Sequence, residues 1–125
     1  MKIEKIKNLT PHEVVLLKDS GLVKIKSNGM IRVTEVTQVI GDIDGVKVIS
    51  KKLSDIPKEA VAMVKEILSD QEAGIIVSMI TAKKIKEMNF LNSDELERVF
   101  IIGKTVRNKE GQIIGAESLA PISTI

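Results

Sequence analysis

The sequence predicts an α+β fold, a single domain over residues 1–125 built as an antiparallel β-sheet meander with two helices. Three observations predict it. Strand-like apolar runs in the first half are punctuated by short turn clusters, with clear alternation in Leu22-Val23-Lys24-Ile25-Lys26. The apolar spacing changes to a helical one after Ser54-Asp55-Ile56-Pro57. Two Phe, no Trp and no Tyr leave the core to Ile, Val, Leu and Met, whose β-branched members favour pleated sheet.

Each element follows from its residues. Ile3 and Ile6 mark a first strand within 2–7, and Asn8-Leu9-Thr10-Pro11-His12 breaks it. Pro11 pushes Thr10 to extended geometry, and Asn8 and Thr10 can bond the local backbone. Residues 13–18 are a nearly continuous apolar strand; Asp19-Ser20-Gly21 turns the chain into 22–26, and Ser27-Asn28-Gly29 turns it again. Residues 30–40 read as a strand with Arg32 on the face opposite Ile31 and Val33. Asp42-Ile43-Asp44-Gly45 signals a hairpin returning through 46–52. Pro57 opens a helix with Val61, Val64 and Leu68 on one face, reaching about Asp70. Gly74-Ile75-Ile76-Val77-Ser78 is a short buried strand, 79–88 a second helix, and Asn92-Ser93-Asp94-Glu95 a capped turn. Residues 99–106 and 112–117 form a final hairpin around 108–111.

Charge and composition exclude several function classes. A net charge of +2 is too small for bulk attraction to a nucleic acid polymer or a membrane, so an anion must be met by a local site. Zero cysteines exclude disulfides, thiolate catalysis and cysteine zinc sites. The start lacks the apolar segment of a signal peptide, and no run approaches membrane-spanning length, so a cytoplasmic protein is expected.

Candidate chemistry is sparse. His12 is the sole histidine, so a catalytic constellation would need Ser or Thr activated by this one ring. Asp42 and Asp44 are explained by turn chemistry, and no further His or Cys completes a metal shell; no metal and no cofactor is expected. Gly103-Lys104-Thr105 lacks the upstream glycine and the helix of a phosphate loop. Arginine occurs only at positions 32, 98 and 107, and Arg107 stands at the mouth of a tight hairpin. A guanidinium holds phosphate or carboxylate with two parallel hydrogen bonds, although the same position also suits a solvated turn residue. Phe90, Phe100 and His12 are the available stacking surfaces.

Four segments carry a resemblance: Asn8-Leu9-Thr10-Pro11-His12-Glu13-Val14-Val15-Leu16, Ser27-Asn28-Gly29-Met30-Ile31-Arg32-Val33, Ile76-Val77-Ser78-Met79, and residues 106–115 around Arg107. The chain resembles the Thoeris anti-defence sponges of the first type, small phage-encoded proteins that sequester the cyclic ADP-ribose isomer signals of bacterial Thoeris immunity. It departs from them in its helical segment from Pro57 to Asp70, where members often have a Pro/Gly-rich connection. The resemblance implies non-catalytic binding of a cyclic nucleotide between subunits of a homo-oligomer, in the cytoplasm of an infected bacterium. It also implies a possible second site for cyclic oligonucleotide signals. Arg107 and Arg32 match arginine positions of the family pattern and are assigned to the phosphates. Phe90 is the choice for stacking, or a plain core residue, with His12 a further aromatic candidate; Asn92 and Asn108 are assigned amide hydrogen bonds, Asn92 being equally suited to a helix cap. The alternatives are a phage assembly protein acting through homo-oligomerisation and, last, a signal-degrading enzyme with His12 as base.

Overall fold

The apolar run before Ser78 sits at the centre of the molecule, because it is buried on both faces. The computed structural model describes residues 1–125. In it β6 (Gly74–Ile76) lies between two parallel neighbours, β1 (Ile6–Asn8) and β7 (Val99–Ile102), and β7 pairs antiparallel with β10 (Leu119–Pro121). Gly74 is required by close approach: a Cβ there would come within 2.8 Å of the Arg98 carbonyl. Parallel neighbours need crossovers. From β6 to β7 the crossover runs through α2 (Met79–Met88) and the short α3 (Ser93–Leu96).

A second sheet has the order β3-β2-β9-β8, formed by β2 (Val14–Lys18), β3 (Gly21–Ile25), β8 (Thr105–Arg107) and β9 (Ile113–Ala116). A third is the two-stranded ribbon of β4 (Glu35–Ile43) and β5 (Val46–Leu53), turned by Asp44 and Gly45, both at positive φ. The domain is therefore α+β, with mixed helices and antiparallel hairpins.

Three features of the meander differ from expectation. β1 leaves it and joins β6, because Ile6 and Asn8 are buried while Lys7 points outward. The strand expected over 30–40 begins only at Glu35, since Ile31 turns into the main core instead of a ladder. The expected strand over 99–106 breaks at Gly103, where a Cβ would meet the Ser118 carbonyl at 3.0 Å, and its two halves enter different sheets.

Helix α1 (Lys58–Leu68) buries Val64 and Leu68, and Ala60, Val61, Met63 and Ile67 flank the same core. Ser78 caps α2 by accepting from the Thr81 N–H, and Asn89 ends that helix in the left-handed region at φ 54°. Two apolar clusters result. The larger joins Leu9, Ile31, Ile56, Val64, Leu68 and Ile75 to the helices, and the smaller places Ile6, Val14, Leu16, Ile76 and Ala116 between the two four-stranded sheets. No helix is long and apolar enough to cross a membrane.

Arg98 ties the end of α1 to this frame. Its Nη2 donates to the Leu68 carbonyl at 2.9 Å, and its Nη1 to the carbonyls of Asp70 and Ala73 at 2.9 and 3.0 Å. Asp94 completes the pairing at 3.2 Å. The guanidinium thus serves the last carbonyl of α1, that of Leu68, and two carbonyls of the loop that follows it. Asp70, beside it, accepts from the Glu72 N–H at 2.9 Å and from Lys5 Nζ at 3.1 Å. The Glu72 N–H, then Lys5, hold the Asp70 carboxyl below its ordinary value.

Two outcomes are expected. Arg98→Ala removes the guanidinium donors from the Leu68, Ala73 and Asp70 carbonyls, the last of which keeps the Ala73 N–H, and lowers stability by about 3 kcal/mol or more in a denaturant titration. Because the folded value of Asp70 is depressed, its contribution is present above the ordinary carboxylate value and disappears as pH falls through the depressed one. Asp70→Asn should therefore lower the neutral-pH melting temperature and flatten its fall into acid; unchanged curves would remove Asp70 from the acid response.

Candidate ligand-binding cleft

The amide of Asn8 has 0% exposure, so each of its polar valences needs a protein partner. All are met. Nδ2 donates to the carbonyls of His12 at 2.7 Å and Ile25 at 2.9 Å, and Oδ1 accepts from the Thr10 N–H at 3.0 Å and the Thr10 hydroxyl at 2.6 Å. The loop 8–12 is stitched to 27–29 by the Asn28 N–H on the Asn8 carbonyl at 2.7 Å and the Ser27 hydroxyl on the Thr10 carbonyl at 2.6 Å. Two of the sequence blocks singled out above thus form one structural unit. It presents Pro11 and His12 outward, both exposed.

Two clefts open on either side of this loop. The larger, of about 620 Å³, is lined by Pro11, His12, Val14, Thr105, Ile113 and Ile114, among others. The smaller, of about 330 Å³, is bounded by Met30, Arg32, Thr34, Ile80 and Thr81. Thr10, Pro11 and Ser78 line both, so the clefts meet at the start of α2. There the Met79 and Ile80 N–H groups lie in the first turn, where a helix provides no backbone acceptor. One arm of the groove is apolar, and the junction and other arm combine a guanidinium, hydroxyls and a helix N-terminus. Such a terminus favours an anion.

Two of the six candidate residues, His12 and Arg32, line these clefts, and Arg107 and Asn108 line neither. His12 lines the larger cleft and its ring makes no hydrogen bond within the chain, while Arg32 lines the smaller one, exposed. Arg107 stands opposite Ile113, a residue of the larger cleft's wall, with Nη1 donating to the Gly111 carbonyl at 2.6 Å. Asn108 is committed to the hairpin, its Oδ1 accepting from the N–H groups of Glu110 and Gln112, each at 3.0 Å. Phe90 and Asn92 lie elsewhere in the chain's fold. Phe90 packs against the main core and its carbonyl accepts from Lys65 Nζ at 3.0 Å. Asn92 makes a reciprocal capping box with Glu95 at the start of α3. Neither lines either cleft of this subunit.

Sequence reasoning did not assign a role to Ser78, Thr81, Thr105, Ile113 or Ile114. A signal for Ser78 was present: a serine directly before a helical run marks a helix N-terminus and the donors that come with it. Thr105 carried none, because only the break at Gly103 sends β8 into the second sheet. No group of three or more His, Cys, Asp or Glu side chains converges as a metal would require.

Comparison with protein-family models, with curated proteins and with solved structures found no match in any of the three.

The cleft depends on Asn8, which gives a direct test. Asn8→Asp keeps the shape but takes the donors from the His12 and Ile25 carbonyls and sets a carboxylate against them, at a cost of about 3 kcal/mol or more. Urea unfolding should show this loss, and the exchange protection of the Asn28 amide should fall with it.

Proposed function

We propose that this chain is a phage anti-defence sponge: it binds a cyclic ADP-ribose-type immune signal in the cytoplasm of the infected bacterium and withholds it from Thoeris immunity without degrading it. The observation that carries this reading is the meeting of the two clefts at Ser78. A cyclic ADP-ribose isomer has a diphosphate and a flat adenine. The smaller cleft offers Arg32, the Thr34 and Thr81 hydroxyls and the α2 terminus to the phosphates. The larger offers an apolar slot with the His12 ring at its wall to the base. Together their volumes fall within the ordinary range of small-molecule sites.

Both clefts are open grooves, and a dinucleotide-sized ligand is held by burying most of its surface. The proposal therefore includes a homo-oligomer in which a second subunit closes the groove, the place from which Phe90 or Asn92 of a partner would act. Binding needs no chemistry: His12 has neither a hydrogen-bonded nucleophile nor an orienting carboxylate in contact with its ring. A second reading, an assembly protein working through self-association, is favoured by the exposed apolar β4–β5 ribbon.

Absorbance tests the proposal, because a chain without Trp or Tyr is nearly transparent at 280 nm. Protein purified from cells with an active Thoeris system should carry a band near 260 nm, and mass spectrometry of the heat-released fraction should find an intact cyclic nucleotide. Arg32→Ala should weaken retention about thirtyfold, the equivalent of roughly 2 kcal/mol for one charge-assisted contact, at unchanged melting temperature. Featureless spectra from cells with and without the signal would leave the assembly reading in its place, and a released breakdown product would make the protein an enzyme.

A further inference from the structure

We infer that Asn28 is a site of self-modification: the Gly29 nitrogen displaces its side-chain amide, leaving aspartate and isoaspartate at position 28, and the isoaspartyl form unfastens the loop that leads to Arg32. The inference concerns the chain's own chemistry and does not depend on any ligand.

Asn28 and Gly29 stand together because the loop needs each of them. The Asn28 N–H donates to the Asn8 carbonyl at 2.7 Å, and its Oδ1 accepts from the Asn8 N–H at 3.2 Å, so main chain and side chain of one residue clasp the same partner. Gly29 has φ 123°, a backbone conformation that residues with a side chain rarely adopt. These two requirements set a carboxamide directly before glycine, the one residue whose nitrogen no Cβ crowds. Among the asparagines, at positions 8, 28, 89, 92 and 108, only Asn28 precedes a glycine.

The groups that must react are free to do so. Asn28 and Gly29 are both exposed, and nothing stands within 4 Å of where a Gly29 Cβ would be. The Gly29 N–H has one hydrogen bond, a long one of 3.4 Å to Ser27 Oγ, so its nitrogen is not committed to a backbone acceptor. The Asn8 N–H on Oδ1 draws electron density from Cγ, and Nδ2, the leaving group, makes no hydrogen bond within the chain. Other positions lack this combination. The Asn8 amide is buried with both ends bonded, and Asn108 is followed by Lys109 and accepts two N–H groups of its own turn. At the Asp44-Gly45 turn the Gly45 N–H is held by the Asp42 carboxylate at 2.8 Å.

Water is the sole co-reactant. The Gly29 nitrogen gives its proton to water and bonds to Cγ; the Cγ–Nδ2 bond breaks, and Nδ2 leaves as ammonia after taking up a proton. Water then opens the resulting succinimide at either carbonyl. Breaking the new bond to Cγ gives aspartate in an ordinary chain, whereas breaking the bond to the Asn28 main-chain carbonyl carbon leaves the chain running through Cγ, as isoaspartate. Either product adds one negative charge and about one dalton. In isoaspartate the Cγ carbonyl that the Asn8 N–H holds becomes part of a main chain lengthened by one methylene. The clasp then no longer fits, and residues 29–32 are displaced with it.

Incubating the ligand-free full chain at mildly alkaline pH, with peptide mapping by mass spectrometry, tests this. The mass gain should fall on the peptide holding Asn28, grow faster as pH rises because the Gly29 N–H must lose its proton, and be accompanied by isoaspartate detected through enzymatic carboxyl methylation. Asn28→Gln, whose amide would have to close a larger ring, should gain mass roughly tenfold more slowly or less. The isoaspartyl fraction, separated by anion exchange, should show the Asn8 N–H exchanging about tenfold faster or more than in the parent. No gain at Asn28 in the folded chain, above all if the urea-unfolded chain gains it there, would mean that the clasp protects the amide, and overturns the inference. An equal gain in Asn28→Gln, or a gain centred on another asparagine, does the same. Undiminished protection of the Asn8 N–H in the isoaspartyl fraction overturns the release of the loop.

Discussion

One buried carboxamide determines whether there is a groove at all. Asn8 ends β1 in the sheet around β6, yet it donates to the carbonyl that ends β3 in the other four-stranded sheet and to the His12 carbonyl of the intervening loop. No apolar residue could occupy the position without abandoning both carbonyls, and no acid could donate to them. The walls of both clefts are set by this side chain: Pro11 and His12 are held outward by it, and residues 27–29, which lead to Arg32, are fastened to the same loop.

Around that junction the polar residues divide by depth. Arg98 and Asn8 are buried and spend their hydrogen bonds on backbone carbonyls. Arg32, His12 and Ser78 lie around the groove. Arg107 belongs to neither group: it is exposed, lines neither cleft and bonds its own hairpin. In a chain with arginine at only three positions, the buried one is recognisable from structure alone, since nothing in the residues flanking position 98 distinguishes it from a solvated arginine.

How much of this was legible follows from how local each cause is. The α+β class, the Pro57 helix, the capped turn at Asn92 and the Asp44-Gly45 hairpin depend on neighbours in sequence and were readable there. The turn chemistry of Asn8 and Thr10 was readable in kind, but not its reach to Ile25. Parallel pairing of β1 with β6, the division of residues 99–106 between two sheets, and Ile31 entering the main core depend on contacts far apart in sequence. Period-two patterning cannot encode them, because a strand's faces look the same whichever neighbour it takes. Of the candidate residues, His12 and Arg32 could be picked out because their chemistry is rare in this chain. The hydroxyls beside them are common residue types and gave no such signal.

The two apolar clusters, a larger one around the helices and a smaller one between the sheets, have a mechanical consequence. The smaller contains Ile6, Val14, Leu16, Ile76 and Ala116, few enough that the two sheets form separable units meeting along a seam. The larger cleft runs along that seam, with β2 and β9 supplying one side and Val77 and Ile101 the other. A molecule lodged there would clamp both units. The groove is open, so such a molecule could leave without the seam parting, yet while bound it would make that parting rarer by mass action. Affinity and mechanical rigidity would then be two readings of one quantity.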